Sequence, residues 1–114
     1  MTESSVSKST PDPSTITIDN VNDIIRSDRV VIFSKAKCPY CTMAKEVFDN
    51  LKQTYTVIEL DERKDIEEIK NLLGEITGAT TVPRVFINGI FVGGGSDVKT
   101  MYENGELQKR LNVE

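Results

Sequence analysis

The sequence predicts an α/β domain: a four-stranded mixed sheet with helices on both faces. Three observations carry that prediction. Helical periodicity alternates with short apolar runs through the first two thirds of the chain. Two apolar runs joined by Asn88-Gly89 then mark a tight antiparallel hairpin. Between the first strand and the second helix stands Cys38-Pro39-Tyr40-Cys41, which places both cysteines at a helix start.

Taken in order, Thr17 is suited to cap a first helix, with Asp19 in its first turn. Ile18, Val21, Ile24 and Ile25 fall on one face of it. Arg29-Val30-Val31-Ile32-Phe33 reads as a strand buried on both faces, as parallel strands usually are. Residues 34–37 form the loop that delivers Cys38 to the next helix, whose inner stripe is Ala44, Val47, Phe48 and Leu51. A second strand is expected over residues 55–60. Ile66, Ile69, Leu72, Leu73 and Ile76 mark a third helix that stops near Gly78. Strands separated by a helix imply a parallel pair joined by a crossover. The hairpin pairs Val85-Phe86-Ile87 with Ile90-Phe91-Val92. After Gly93-Gly94-Gly95, Ser96 or Asp97 is placed to cap a helix carrying Val98, Met101 and Tyr102. Leu107 and Leu111 share a face of a last short helix.

The chain has 114 residues, a length that suits one domain with one core. A formal charge of −4 does not point to a nucleic acid or an anionic membrane as partner. No apolar run approaches the ~20 residues of a bilayer span. Residues 1–14 are rich in Ser, Thr and Pro, with Val6 their one branched aliphatic residue, and read as a disordered tail. The domain is expected over residues 15–114. The tail lacks the apolar stretch of a secretory signal and the arginines of a transit peptide, so a cytoplasmic location is expected. A free dithiol is the resting state there.

Cys38 and Cys41 are the only cysteines. At a helix start their sulfurs lie within reach of a small-ring disulfide. The partial positive charge and free N–H groups of the terminus favour thiolate over thiol, and thiolate is the species that attacks a disulfide. Structural zinc wants four ligands, usually cysteine and histidine, so with no histidine and no third cysteine a zinc site within one chain is nearly excluded. A structural staple closing so small a loop would restrain the unfolded chain little. A redox-active pair is the reading that remains.

Lys35-Ala36-Lys37-Cys38-Pro39-Tyr40-Cys41, Thr81-Val82-Pro83 and Gly93-Gly94-Gly95-Ser96-Asp97 follow one another in the order and spacing of the dithiol glutaredoxins. The chain resembles the eukaryotic, cytosolic-type members of that family over about residues 15–114. The resemblance implies the thioredoxin fold and glutathione-dependent thiol–disulfide exchange on protein–glutathione mixed disulfides and protein disulfides. Cys38, nearer the loop, is expected to be the exposed nucleophile. Cys41, one turn deeper, is expected to resolve the mixed disulfide. Lys35 matches the position of a glutathione carboxylate ligand. For Lys37, plain surface charge is an equal alternative.

The resemblance further implies a cis peptide before Pro83, with Thr81 and the Val82 backbone offered to an extended substrate. The plain alternative is a proline opening an edge strand. Ser96 and Asp97 would meet the γ-glutamyl end of glutathione, the helix N-terminus binding its carboxylate and Asp97 its ammonium. A glycine turn with a helix cap explains part of the same segment, and without a Walker lysine it is no nucleotide loop. Tyr40 either shapes the groove beside the glutathione sulfur or packs on Pro39. Ala79 departs from the family, where many relatives carry Gln or Arg, and Arg84 is the candidate to compensate.

Glutathione is thus the expected co-substrate, with no metal. Expected partners are glutathionylated or disulfide-containing proteins and, indirectly, glutathione reductase, with the protein acting as a monomer. Two rivals remain. A thioredoxin would usually carry Trp-Cys-Gly-Pro-Cys, and this chain has no tryptophan. An iron–sulfur carrier bridging a cluster between two subunits would need Cys38 and glutathione from each. A proline after the first cysteine generally accompanies the oxidoreductases.

Overall fold

The computed structural model describes residues 16–112. The expected tail, residues 1–14, lies outside them. The elements run α1 (Ile18–Ile25), β1 (Val30–Ser34), α2 (Pro39–Asn50), β2 (Thr56–Glu59), a 3-10 turn (Leu60–Glu62), α3 (Ile66–Thr77), β3 (Arg84–Ile87), β4 (Ile90–Gly93), α4 (Gly95–Asn104) and α5 (Glu106–Asn112). The four strands form one sheet in the order β2-β1-β3-β4. β1 pairs parallel with β2 and antiparallel with β3, and β3 pairs antiparallel with β4. This is the mixed sheet of the thioredoxin fold.

The strands alternate their side chains between two cores. On one face, Val30 and Ile32 of β1 and Val85 and Ile87 of β3 pack with Ala44, Val47 and Phe48 of α2, Val98 of α4, and Leu107 and Leu111 of α5. On the other, Val31, Phe33 and Phe86 pack with Val21 and Ile25 of α1, Leu60, and Ile69 and Leu73 of α3. All five residues of β1 are buried, because neighbouring strands cover both its edges and helices both its faces.

Local signals explain most boundaries. Thr17 and Asn20 form a reciprocal capping box at the start of α1. Asn88 (φ 52°) and Gly89 (φ 82°) make the left-handed two-residue turn of the hairpin. Gly78 ends α3 at φ 90°, and Gly105 ends α4 at φ 85°. Strand ends shift by a residue, with β1 starting at Val30, β2 spanning Thr56–Glu59 and β3 starting at Arg84. Two boundaries, beside the cysteines and at α4, differ from expectation in ways that matter. Ser34 belongs to β1 and is fully buried, because the sheet continues to the Ser34–Glu59 pair. Neither Ser96 nor Asp97 caps α4; Gly94 is the cap, and the Asp97 carboxylate, three residues on, accepts its N–H at 3.0 Å.

The seam between α2 and α4 is set by a missing side chain. A Cβ on Gly95 would stand 2.6 Å from the Tyr40 carbonyl oxygen and 3.0 Å from Tyr40 Cβ. The first of these neighbours is backbone and cannot swing aside. Gly95→Ala is therefore expected to force the start of α4 away from α2, at a cost of about 1–3 kcal/mol. Chemical denaturation checks this, and a midpoint equal to that of the wild type would refute the tight seam.

Candidate active site

Cys38 caps α2. Its backbone is extended (φ −124°, ψ 109°), and its sulfur accepts the Cys41 N–H at 3.2 Å. The sulfur thus does what a Ser or Asp oxygen does at most helix starts: it takes one of the donors left over in the first turn. Pro39 follows at the first helical position, where its missing N–H costs nothing. The Cys38 carbonyl accepts from the backbone N–H of Thr42 at 3.0 Å and from its hydroxyl at 3.3 Å. On the incoming side, the Ala36 N–H donates to the Asp61 carboxylate at 2.9 Å, tying the loop to the 3-10 turn.

Both cysteines are free thiols; Cys38 is half-buried and Cys41 fully buried. Burial pushes the Cys41 thiol above its ordinary range, and the Cys38 sulfur beside it pushes the same way. The Ser34 hydroxyl and the Lys35 backbone N–H pull it back down. The two thiols therefore occupy different environments one helical turn apart.

The second motif meets the first. The Val82-Pro83 peptide is cis. The Cys38 thiol donates to the Val82 carbonyl at 3.9 Å, a long contact of the kind sulfur makes. Pro83 is buried, Val82 half-buried and Thr81 exposed. The third motif closes the other side. A Cβ on Gly94 would lie 3.4 Å from the Pro83 carbonyl oxygen, and Gly95 abuts Tyr40. Ser96 and Asp97 are exposed in the first turn of α4. The backbone N–H groups of that turn precede the first helical bond, Val98 N–H to the Gly94 carbonyl, so they are available to an anion. Tyr40 is 55% exposed, which leaves its ring open to the groove. Lys35 is half-buried in the loop before Cys38, and Lys37 is exposed.

Arg84 adds a charge beside these motifs. Its guanidinium donates to the Pro83 carbonyl and to the hydroxyls of Thr77 and Thr81, each at 3.3 Å. It also stacks 4.9 Å from the centre of the Phe91 ring. Burial lowers its pKa, and the Asp97 carboxylate partly offsets this. Sequence reasoning missed two other contributors, Ser34 and Asp61. Ser34 looked like loop, and its burial follows only from strand pairing. Asp61 belongs to a 3-10 turn with no periodic signal.

Comparison with known proteins gives one answer. The glutaredoxin family model matches residues 30–92. Glutaredoxin-C4 of Arabidopsis thaliana is 54% identical over 95 residues, which cover 83% of this chain and 70% of the relative. Oxidized glutaredoxin 2 of Chlamydomonas reinhardtii superposes with a TM-score of 0.79 at 42% identity, over 82% of this chain and 89% of that one. A buckwheat glutaredoxin solved as a complex with glutathione has a TM-score of 0.79 at 37% identity, over 82% and 86% of the two chains. With its paired thiols at the head of α2 and these relatives beside it, the chain belongs to the glutaredoxin family and is a glutathione-dependent thiol–disulfide oxidoreductase.

Proposed function

We propose that Cys38 is the attacking thiol and Cys41 the resolving one, and that glutathione lies across the groove formed by the three motifs. One observation carries the assignment. Cys38 is the half-exposed cap of α2 with its sulfur on a backbone N–H, whereas Cys41 is buried behind it and held protonated by that burial. In the first step Cys38 attacks the glutathione sulfur of a mixed disulfide. The Cys38–glutathione disulfide forms, the old bond breaks, and the protein substrate leaves as a thiolate that takes up a proton. A second glutathione then resolves the adduct and yields glutathione disulfide. With a protein disulfide as substrate, Cys41 resolves instead, and glutathione later reduces the Cys38–Cys41 bond.

Within the groove, Lys35 and Arg84 provide cations for the glycine carboxylate of glutathione. Arg84 takes the place of the Gln or Arg that Ala79 lacks. The Val82 backbone and Thr81 meet the cysteinyl part, with Pro83 behind them and Tyr40 on the rim. The N-terminus of α4, with Ser96 and Asp97, takes the γ-glutamyl end. Gly94 lies against that approach, where a Cβ would just touch the Pro83 carbonyl oxygen and the Arg84 guanidinium at 3.4 Å. The substrates proposed are glutathionylated and disulfide-bonded proteins. Glutathione reductase regenerates the glutathione, and the protein works as a monomer in the cytoplasm.

Two coupled assays test the cysteine roles, each following NADPH consumption through glutathione reductase. One uses a glutathione mixed disulfide as substrate, the other a protein disulfide. Cys38→Ser is expected to abolish both activities. Cys41→Ser is expected to keep most deglutathionylation and to lose most protein disulfide reduction, because a tethered thiol is far more effective than one in solution. The opposite pattern would reverse the assignment.

The pH dependence follows from the direction of the Cys41 shift. A thiol whose pKa is raised stays protonated through neutral pH and must lose its proton to attack. Formation of the Cys38–Cys41 bond is therefore expected to keep accelerating as pH rises past the ordinary thiol value of about 8.5. Acid-quenched time courses would show it, and a rate already level at neutral pH would contradict it.

The groove is tested by Lys35→Ala and Asp97→Asn. The asparagine keeps an oxygen for the Gly94 N–H while removing the charge. Each variant is expected to lose one charge-assisted contact worth about 1.5–3 kcal/mol, seen as a higher KM for glutathione. Unchanged KM values in both would remove these residues from the site.

A further inference from the structure

Ser34 is an anomaly in the core. Among the described residues, only it and Asp65 are polar side chains counted as buried, and Ser34 has no exposed surface at all. Asp65 has an obvious partner in Arg63, at 2.8 Å. Ser34 has only a 3.3 Å contact to the carbonyl of its neighbour Lys35, long for a hydroxyl donor. A buried hydroxyl without a good partner is costly. Its position supplies the reason. Val30, Ile32 and Ser34 alternate onto the face of β1 that α2 covers. Ser34 is the last of them, where the strand ends beneath the first turn of α2. That places the hydroxyl beside Cys41, the fully buried residue of that turn, whose thiol it and the Lys35 backbone N–H shift downward.

We propose that Ser34 is a positioning residue for the resolving step: its hydroxyl donates to the Cys41 sulfur and stabilises the thiolate as it forms, aiming it at Cys38. This rests on the role given to Cys41 above. The step balances within the protein and its adduct. Cys41 loses its proton, its sulfur bonds to the Cys38 sulfur, and the bond from Cys38 to glutathione breaks. Glutathione leaves with the electron pair and takes up a proton, so no further oxidant is needed. A hydroxyl suits this position because it can turn. It donates to the Lys35 carbonyl while Cys41 is a thiol, and to sulfur when Cys41 is a thiolate. Of the ionisable side chains on α2, the incoming loop, β2, β3 and α4, Cys38 is the one that acts on the Cys41 sulfur, and it raises the pKa. Lys45 and Glu59 neutralise each other at 2.9 Å, and Arg84 and Asp97 are opposed in charge. Beside Cys38, which raises the Cys41 pKa, the neutral donors Ser34 and Lys35 N–H are the groups that lower it.

The test follows the step itself. Reduced protein is mixed with glutathione disulfide and acid-quenched, and mass spectrometry follows decay of the Cys38–glutathione adduct into the intramolecular disulfide over about pH 6–10. For Ser34→Ala, decay near neutral pH is expected to slow about tenfold, with the pH of half-maximal rate moved up by about one unit. Ser34→Thr, which keeps the hydroxyl, should restore most of the wild-type profile. Overturning results are an alanine profile that coincides with wild type, one that falls equally at every pH, or a threonine variant that behaves like alanine. If the wild-type adduct itself fails to close, the role of Cys41 fails and not that of Ser34 alone.

Discussion

The structure depends on the junction where β1 stops and α2 starts. A strand buried on every side ends at Ser34, and four residues later the Cys38 sulfur accepts the Cys41 N–H in the first turn of the helix. That contact makes the thiol proposed as nucleophile part of the helix cap. It fixes the sulfur at the positive end of α2 without a flexible arm, so little conformational freedom remains to be lost when a substrate arrives. The loop between strand and helix is short and is tied to Asp61 through the Ala36 N–H. The reactive atom thereby inherits the rigidity of the central strand.

Everything else at the site is brought to that junction by the sheet. β3 runs antiparallel to β1, so its first residue, Arg84, pairs with Phe33 near the end of β1. Thr81, Val82 and Pro83 immediately precede it and so reach Cys38. β4 returns beside β3, and the chain leaves it through Gly93, at φ 135°, to start α4 against α2. The close approach of α4 is possible because Gly95 offers no Cβ to the Tyr40 carbonyl. Three motifs far apart in sequence are therefore neighbours for one topological reason: antiparallel pairing brings the C-terminal ends of β1 and β4 and the N-terminal end of β3 to the same edge of a single sheet.

This also explains what could be read from the chain alone. Elements with a strong local signal were legible: the capping box at Thr17, the hairpin at Asn88-Gly89, the stripe of Ile69 and Leu73, and the glycine stop at Gly78. The cysteine pair announced its chemistry because few other roles fit two thiols at that spacing. What stayed hidden depends on pairing between distant segments. Ser34 is small and polar, so the sequence gives it to a loop, yet its partner Glu59 on β2 extends the strand by one residue. The cap of α4 moved to Gly94 because the Asp97 carboxylate reaches back to the Gly94 N–H, a choice that Ser96 or Asp97 as cap would forgo. Asp61 acts through a loop 25 residues away in sequence.

The contrast between the two thiols has a kinetic consequence in the proposed division of roles. A buried thiol kept protonated is a slow nucleophile at neutral pH, so the Cys38–glutathione adduct persists long enough for a second glutathione to resolve it. Were Cys41 as exposed as Cys38, intramolecular closure would win whenever the adduct formed, and each turnover would pass through the protein disulfide. Full burial without a donor would go too far the other way, since the Cys41 thiolate would then be too costly to form when a protein disulfide needs resolving. The donors beneath Cys41 oppose the burial that surrounds it. That balance, set by one hydroxyl and one N–H at the end of β1, leaves both routes open on one active site.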